Sequence, residues 1–334
     1  MFAIDNSFIL DSLLIFLLAF LIDIVFGELP DRIHPTLWMG RVTDYLKPKL
    51  RNNNAKTEKI NGVLLCLLLI VLFAVPAYVV IFAIHEFLGW LPYIVASAII
   101  LQTTFAIKCM RQYTLPVADA VEKEDYDKAK ELLPFIVRRN PKELTKRHII
   151  SAAVETIAEG TPDGITSPFF YFALFGVPGA VAFRVVNTLD SMVGYKDHDN
   201  INIGWFSAKT DTIANYVPAR LTGILMLLAT LILRENWRKS WRILQRDRKK
   251  MTSINAGWTI ATMAGALDIQ LEKPGFYTIG DNSDLSTAHI PKALRIMLLT
   301  AILFALFVVI PILVTKTLLI GALFAAQKVH RLIP

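Results

Sequence analysis

Cysteine is scarce in this chain of 334 residues, which contains only two. Cys66 lies inside an apolar block and Cys109 follows another, and neither has a cysteine or histidine at the spacing of a zinc site. The sequence therefore indicates neither structural zinc nor a disulfide framework. It also lacks the G-x-x-x-x-G-K-[ST] and G-x-G-x-x-G loops, so any nucleotide would be held by another kind of site. The G-x-S-x-G and H-E-x-x-H motifs are missing too.

The first apolar stretch has no basic segment before it and no Ala-x-Ala cleavage site after it. We therefore predict a membrane span there and not a signal peptide. The sequence has no internal repeat, no low-complexity tract and no boundary typical of a separate soluble domain.

Apolar residues are abundant, making up 54% of the sequence with a mean hydropathy of +0.48. Soluble chains average about 45–50% apolar residues, and here the excess is concentrated in blocks, as a bilayer requires. The net charge is +7 and the pI about 9.3. Because lysine and arginine collect in the loops, we assign this charge to membrane topology and expect no nucleic-acid partner. Anionic ligands are compatible with the same charge.

These blocks predict an all-α, polytopic integral membrane protein of the cell membrane with about 5–7 membrane segments. The main blocks are Phe8–Phe26, Val63–Ile84, Leu91–Ile107, Ile165–Val186, Val217–Leu233 and Ile296–Val314, with a short apolar coda at Leu318–Ala326. We expect residues 1–334 to form a single membrane-embedded domain, with residues 108–159 as a helical cytoplasmic insertion. Membrane lipid would surround it, and an oligomer is compatible with the sequence.

Basic residues in the loop between the first two blocks, and in residues 108–147, place both loops inside and the N-terminus outside. The orientation beyond them is open because Gly176-Val177-Pro178-Gly179 interrupts the fourth block. If that block spans the membrane, residues 187–211 lie outside. If it forms a re-entrant hairpin, both of its flanks stay inside and Arg234–Lys250 would fall outside.

Three carboxylates follow one another around residues 155–163. Glu155 and Glu159 are four residues apart and share a helix face, and Asp163 follows a Gly-Thr-Pro break. Such a group near a membrane predicts a Mg²⁺ site or a shared proton. The alternative is a solvated helix face that ends at a proline.

Two further polar clusters flank apolar segments. Asn187, Asp190 and Ser191 fall on one helical face, between Arg184 and Lys196. Helix capping would explain such residues, but ionisable groups beside a membrane segment are costly and favour a ligand site. The other cluster consists of Asp211, Asn215 and Arg220. Its arginine either extends its charged end to the membrane interface or binds an anion. His34, read alone, is more typical of a solvated loop histidine.

Together these strings resemble the CobD/CbiB family, the membrane-bound adenosylcobinamide-phosphate synthases of cobalamin biosynthesis. The resemblance runs from about Asp23 to Gly280. Its most specific strings are Glu159…Asp163-Gly164…Ser167-Pro168, Asn187-Thr188-Leu189-Asp190-Ser191 and Asp211…Asn215-Tyr216-Val217-Pro218-Ala219-Arg220. Two further strings also fit, Asn255-Ala256-Gly257-Trp258 and His34-Pro35. The chain departs from the family in having Asp211-Thr212 in place of two aspartates, Val137-Arg138-Arg139-Asn140 in place of Val-Gly-Arg-Asp, and Gly160-Thr161-Pro162 before Asp163.

The resemblance implies an ATP-dependent amide ligase. It would join the free propionate of adenosylcobyric acid, a corrinoid, to an aminoalcohol phosphate, typically (R)-1-aminopropan-2-ol phosphate, with ATP and Mg²⁺. On this basis the predicted catalytic residues are Glu159, Asp163, Asp190 and Asp211, with His34 as a proton acceptor. The predicted metal ligands are Glu155, Glu159, Asp163 and Asp190. The predicted substrate-binding residues are Arg184, Asn187, Ser191, Lys196, Asn215 and Arg220.

Two other functions fit parts of the pattern. A corrinoid transporter or carrier would explain polar residues beside the spans and a broken helix, although transporters usually have pseudo-symmetric halves. A membrane phosphotransferase would need only the metal and phosphate groups. Consumption of ATP in the presence of both substrates separates the ligase from the phosphotransferase.

Overall fold

The computed structural model describes residues 7–137 and 144–319, and helices dominate both ranges. The helices are α1 Ser7–Val25, α2 Pro35–Leu50, α3 Ala55–Leu88, α4 Trp90–Gln102, α5 Ile107–Glu122, α6 Tyr126–Leu132, α7 Lys146–Thr161, α8 Ser167–Val193, α9 Trp205–Ala214, α10 Tyr216–Ile232, α11 Trp237–Asp247, α12 Ala256–Ala266 and α13 His289–Phe304. The all-α prediction is confirmed. Residues 138–140, where the chain departs from the family, and most of the apolar coda lie outside the described ranges.

A two-stranded antiparallel ribbon is the element of the described ranges that departs from the all-α prediction. Strand β1, Leu271–Lys273, pairs with β2, Tyr277–Ile279, in the register Leu271 with Ile279. Gly275 turns the chain between them with a φ of 77°. Three-residue strands are too short for a periodic apolar signal, which explains why the sequence pattern gives no sign of them.

Four helical segments are long and apolar enough to cross a membrane, and a bent pair makes a candidate fifth. These segments are Ala55–Leu88, Trp90–Glu122, Lys146–Val193 and His289–Leu319, and the bent pair is Trp205–Ala214 with Tyr216–Ile232. The first predicted span coincides with α1, an apolar helix of 19 residues. Together they confirm the prediction of a polytopic membrane protein.

Helix α8 is a helical hairpin and not one continuous helix. Gly176, at φ 71° and ψ −164°, has a backbone conformation that only glycine adopts easily. Beyond this break the rings of Tyr171 and Phe183 stack with their centroids 5.1 Å apart. A straight helix would separate those residues by about 18 Å at its 1.5 Å rise. The chain therefore turns back at Gly176, as the re-entrant interpretation of the sequence predicts, and the flanks of the hairpin lie together.

A hydrogen bond from the helical segment that follows α13 holds the turn of the hairpin. The carbonyl of Leu174 cannot accept the usual helical hydrogen bond because the residue four positions on, Pro178, has no N–H. Lys316 supplies the donor, with its Nζ 2.9 Å from that carbonyl oxygen. On the first arm, Phe169 packs edge-on against Phe16 and Phe105, with ring centroids 4.8 and 4.9 Å apart. The hairpin is thus held by α1, by the loop after α4 and by the segment that follows α13.

The basic segment 234–250 lies at the same end of the molecule as the start of α7. Arg246 reaches Asp281 at 2.7 Å, and Arg147 donates to the carbonyl of Ser283 at 2.9 Å, two residues further along the same loop. The basic segment and the start of α7 therefore contact one loop, and the side of the membrane on which Arg234–Lys250 lies stays a prediction.

A buried aspartate organises this end. The Asp247 side chain is fully buried and accepts hydrogen bonds from Arg246 at 2.8 Å and from the backbone N–H of Gly280 at 2.9 Å. Lys250 lies 2.7 Å away. Burial alone would raise the pKa of Asp247, but these partners outweigh it and hold the pKa at about 2. Because the folded-state pKa is below the ordinary value, the carboxylate stabilises the fold above about pH 4 and loses this effect as the pH falls toward 2.

We expect Asp247→Asn to destabilise the protein by about 1–3 kcal/mol at neutral pH, because charge-assisted hydrogen bonds are lost. Thermal unfolding in detergent measures this change. The gap between the variant and the wild type should shrink at acidic pH, where the wild-type carboxylate also loses its charge. Asp268→Asn is the control, since Asp268 is half-exposed and pairs with Lys239 at the surface. A gap that does not depend on pH would contradict this account of Asp247.

Candidate functional site

The flanks of the α8 hairpin converge on a group of acidic side chains. Asp163 lies in the π-helical segment Pro162–Thr166 that joins α7 to α8. It interacts electrostatically with the carboxylates of Glu159, Asp190 and Asp211, and with the guanidinium of Arg184. Residues from α7, both flanks of the hairpin and α9 therefore meet at one place. We call the four acidic residues the carboxylate cluster.

Amide side chains position Asp211. Asn187 on α8 donates to one of its carboxylate oxygens at 3.3 Å, and Asn215 donates to the other at 3.0 Å. Ser167, at the start of the hairpin, donates in turn to the amide oxygen of Asn215 at 2.5 Å. All four side chains are buried. This chain of hydrogen bonds fixes the carboxylate of Asp211, and it joins Asn187 to Asp211 and Asn215, which the sequence analysis placed in separate clusters.

Asp190 is held by close backbone packing. Its carboxylate lies against Gly194, where an added Cβ would be 2.1 Å from an Asp190 oxygen. One helical turn later α8 ends, and Gly204 packs so closely on this end that a Cβ there would lie 1.6 Å from the carbonyl oxygen of Val193. Gly194 thus leaves room for the Asp190 carboxylate, and Gly204 lets the start of α9 pack on the end of α8, where Asp190 interacts electrostatically with Asp211.

His34 lies beside Arg184 at the start of α2. Its Nδ1 accepts a hydrogen bond from the backbone N–H of Thr36 at 3.2 Å, and its buried Nε2 has no hydrogen-bond partner in the part of the chain that the structure describes. Burial lowers the pKa of His34, and Arg184 adds to this, although Glu28 and Asp31 oppose them. The imidazole is therefore neutral at pH 7, and its proton is on Nε2 because Nδ1 is the acceptor.

The role of His34 as a proton acceptor stays a prediction, and in this tautomer its available nitrogen carries a hydrogen and donates. The reason is the helix cap, which the sequence does not reveal: His34 uses Nδ1 to accept from the first turn of α2. Its free N–H instead suits an anionic ligand.

Glu155 lies apart from the carboxylate cluster. One of its oxygens accepts a hydrogen bond from Ser151 at 2.6 Å and the other from the Tyr277 hydroxyl at 2.5 Å. Ser151 also accepts from the backbone N–H of Glu272 at 2.7 Å. Glu155 therefore fastens the β ribbon to α7, and the structure does not bring it into the metal set in which the sequence analysis placed it.

Three predicted substrate-binding residues are also away from the centre of the cluster. Ser191 and Lys196 are exposed around the end of α8. Arg220 lies over the ring of Tyr216, 3.3 Å from its centroid, and donates to the side-chain oxygen of Asn255 at 3.1 Å. These positions suit a rim that contacts a large substrate, and their binding roles stay predictions.

The described residues contain no ready-made cage of three or more metal-binding side chains. Mg²⁺ does not require one, because it usually binds one or two carboxylates together with water and substrate phosphates. The cluster offers oxygen donors of this kind, and three carboxylates surround Asp163 with Arg184 as the neighbouring cation. The chemistry of the donor set therefore fits Mg²⁺, and the individual metal ligands stay predictions.

The sequence analysis missed two residues of the site. Ser167 was part of a family string but received no role, and its link to Asn215 depends on the hairpin. Glu28 interacts with both Arg184 and His34. The signal was present in the polar stretch around His34, which is rich in charge directly after an apolar helix.

Fold and site together define a polytopic helical membrane protein whose polar site is built at the base of a re-entrant hairpin. The family model described as CobD/CbiB protein matches residues 16–297. The chain therefore belongs to the CobD/CbiB family of cobalamin biosynthesis proteins.

Relatives support this assignment over nearly their whole lengths. The chain is 42% identical to a probable cobalamin biosynthesis protein CobD of Methanothermobacter thermautotrophicus, over 87% of this chain and 95% of the relative. It is 39% identical to a protein of the same description from Thermoplasma volcanium, over 89% of this chain and 96% of the relative. It is 38% identical to the cobalamin biosynthesis protein CobD of Dehalococcoides mccartyi, over 82% of this chain and 88% of the relative. No solved structure matches the chain.

Proposed function

We propose that this protein is an ATP-dependent amide ligase of the cell membrane. It would join the free propionate of adenosylcobyric acid to an aminoalcohol phosphate such as (R)-1-aminopropan-2-ol phosphate, giving adenosylcobinamide phosphate. The observation that carries the proposal is the carboxylate cluster beside Arg184, in a chain of the CobD/CbiB family. Such a site can receive several phosphate groups and a carboxylate at once.

Amide formation needs an activated carboxylate. In the reaction that we propose, a propionate oxygen attacks the γ-phosphorus of ATP and ADP leaves, which produces an acyl phosphate. The amine nitrogen then attacks the acyl carbon, phosphate leaves, and the nitrogen loses its protons to an acceptor in the site. Both steps involve groups of high negative charge, so the protein must supply positive charge and ordered donors.

Mg²⁺ would neutralise negative charge on the phosphate groups when it is bound. Asp163 and Asp190 would hold it, with Glu159 at the exposed side of the cluster. Asp211 is fixed by its two amide donors and would keep its carboxylate in one orientation. Arg184 would bind a phosphate oxygen pair through its planar guanidinium. Asn187 and Asn215 act through Asp211 as positioning residues.

The proposal is tested by an endpoint assay on the purified protein in detergent. The mixture contains adenosylcobyric acid, 1-aminopropan-2-ol phosphate, Mg²⁺ and ATP, and mass spectrometry follows the corrinoid. We expect a new corrinoid at the mass of the phosphorylated amide, together with one ADP for each amide formed. Mixtures without ATP or without the aminoalcohol phosphate are the controls.

Other outcomes separate the alternatives. Phosphate transfer with no amide bond would favour a phosphotransferase. A corrinoid that binds but stays unchanged, with ATP intact, would overturn the ligase proposal and favour a carrier, for which the re-entrant hairpin is also a suitable feature.

A further inference from the structure

Opposite charges face each other where the loop between α1 and α2 meets the α8 hairpin. Glu28 of this loop interacts electrostatically with Arg184, and Arg184 also interacts with Asp163 of the carboxylate cluster. Arg184 thus lies between the loop and the cluster. His34, at the end of the same loop, interacts with both Glu28 and Arg184.

Glu28 and Arg184 do not form an ion pair with each other in the described residues. Among the ion pairs of the described residues, none joins Arg184 to Glu28 or to Asp163. The Nε of Arg184 lies 3.5 Å from the hydroxyl of Thr36, at the long limit of a hydrogen bond. A guanidinium in such a partly buried position is costly without a partner, which points to a bound anion.

His34 gives an independent indication of a ligand. The side chain is 5% exposed, and none of the described residues is a hydrogen-bond partner of its Nε2. Since Nδ1 accepts from Thr36, Nε2 is the nitrogen that donates. Buried donors in native proteins are nearly always satisfied, so this one points to an acceptor on a bound ligand.

We propose that Arg184, His34 and Glu28 form the subsite for the aminoalcohol phosphate, an inference that rests on the proposed ligase function. The Arg184 guanidinium and the His34 Nε2–H bind the phosphate, and the Glu28 carboxylate accepts a hydrogen bond from the ammonium. The subsite therefore selects a small zwitterion. Its two ends are bound by groups of opposite charge, and Arg184 connects the subsite to the carboxylate cluster.

Binding measurements on the purified protein test this subsite without any reaction. The ligands are 1-aminopropan-2-ol phosphate and propan-2-yl phosphate, which lacks the amine. We expect Glu28→Gln to weaken binding of the first at least about tenfold, since an ionic hydrogen bond is lost, and to change the second by less than about twofold. Arg184→Gln and His34→Phe should weaken the binding of both ligands, because both contain the phosphate.

Glu131→Gln is the matched control, since Glu131 lies on the exposed face of α6 and makes the same change of charge. Glu28→Asp, which keeps the charge, should retain part of the preference for the amine if Glu28→Gln folds poorly. The inference is overturned if Glu28→Gln weakens both ligands equally, or if the wild type binds the aminoalcohol phosphate no better than propan-2-yl phosphate. Amide formation with an unchanged KM for the amine in Glu28→Gln would also overturn it and leave the ligase proposal intact. If the wild type binds the aminoalcohol phosphate selectively but forms no amide, the ligase proposal is overturned and the subsite is supported.

Discussion

Replacing Asp190 with asparagine, which keeps its shape, should reduce amide formation by at least about 10³-fold in kcat/KM. The carboxylate lies against Gly194 and interacts with Asp163 across the base of the hairpin. The loss of charge would weaken the Mg²⁺ and phosphate binding that we assign to this pair. Asp163→Asn should have an effect of the same size. The double variant should be little worse than either single variant, since the two residues act as one unit.

Asp119→Asn is the control for these variants. Asp119 is an exposed residue of α5 that pairs with Lys123 one helical turn away, and its replacement should change the rate by less than about twofold. Membrane yield and thermal midpoint should stay close to wild type in all of these variants. Near-normal turnover in both Asp163→Asn and Asp190→Asn would falsify the assignment of the cluster to the reaction.

Among substitutions of the site's glycines by alanine, Gly204→Ala should destabilise the protein most. The new Cβ would meet the carbonyl oxygen of Val193 at 1.6 Å, so α9 must move away from the end of α8. Overpacking usually destabilises by about 1–3 kcal/mol, and a clash with backbone places this variant at or above the upper end. Since α9 contains Asp211, activity should fall even in the fraction that stays folded.

Gly164→Ala provides the comparison. Gly164 neighbours Asp163, but a Cβ there meets nothing within 4 Å. Thermal midpoints and the yield of monodisperse protein in detergent measure both variants. Equal stability of the two would show that the contact between Gly204 and Val193 does not constrain the fold.

The sequence predicts the helices well because long apolar blocks have few alternatives in a membrane. Helices α3 and α10 contain the predicted spans at 63–84 and 217–233 nearly in full, and the predicted span at 296–314 lies within the longer helical segment His289–Leu319. The pattern does not show where α8 turns, because a Gly-Val-Pro-Gly string is compatible with a kink as well as a reversal. The stacking of Tyr171 on Phe183 distinguishes them.

The sequence predicts which residues belong to the site better than it predicts the hydrogen bonds between them. Asn187, Asp211 and Asn215 were assigned from spacing and resemblance, and the structure joins them by hydrogen bonds. Glu155 was assigned with Glu159 because a helix places them on one face. Its partner Tyr277 is 122 residues away on a strand that leaves no sequence signal. Such distant hydrogen bonds depend on the tertiary fold, which spacing along the chain does not describe.

The fastening of the hairpin turn has a consequence for the synthesis of the protein. The carbonyl of Leu174 receives its hydrogen bond from Lys316, which is made 142 residues later. At a ribosome, the hairpin is therefore synthesised well before the residue that completes its turn. Until Lys316 has been made, the carbonyl of Leu174 has no donor from this segment, so the turn reaches its final hydrogen bonding only after the rest of the hairpin exists.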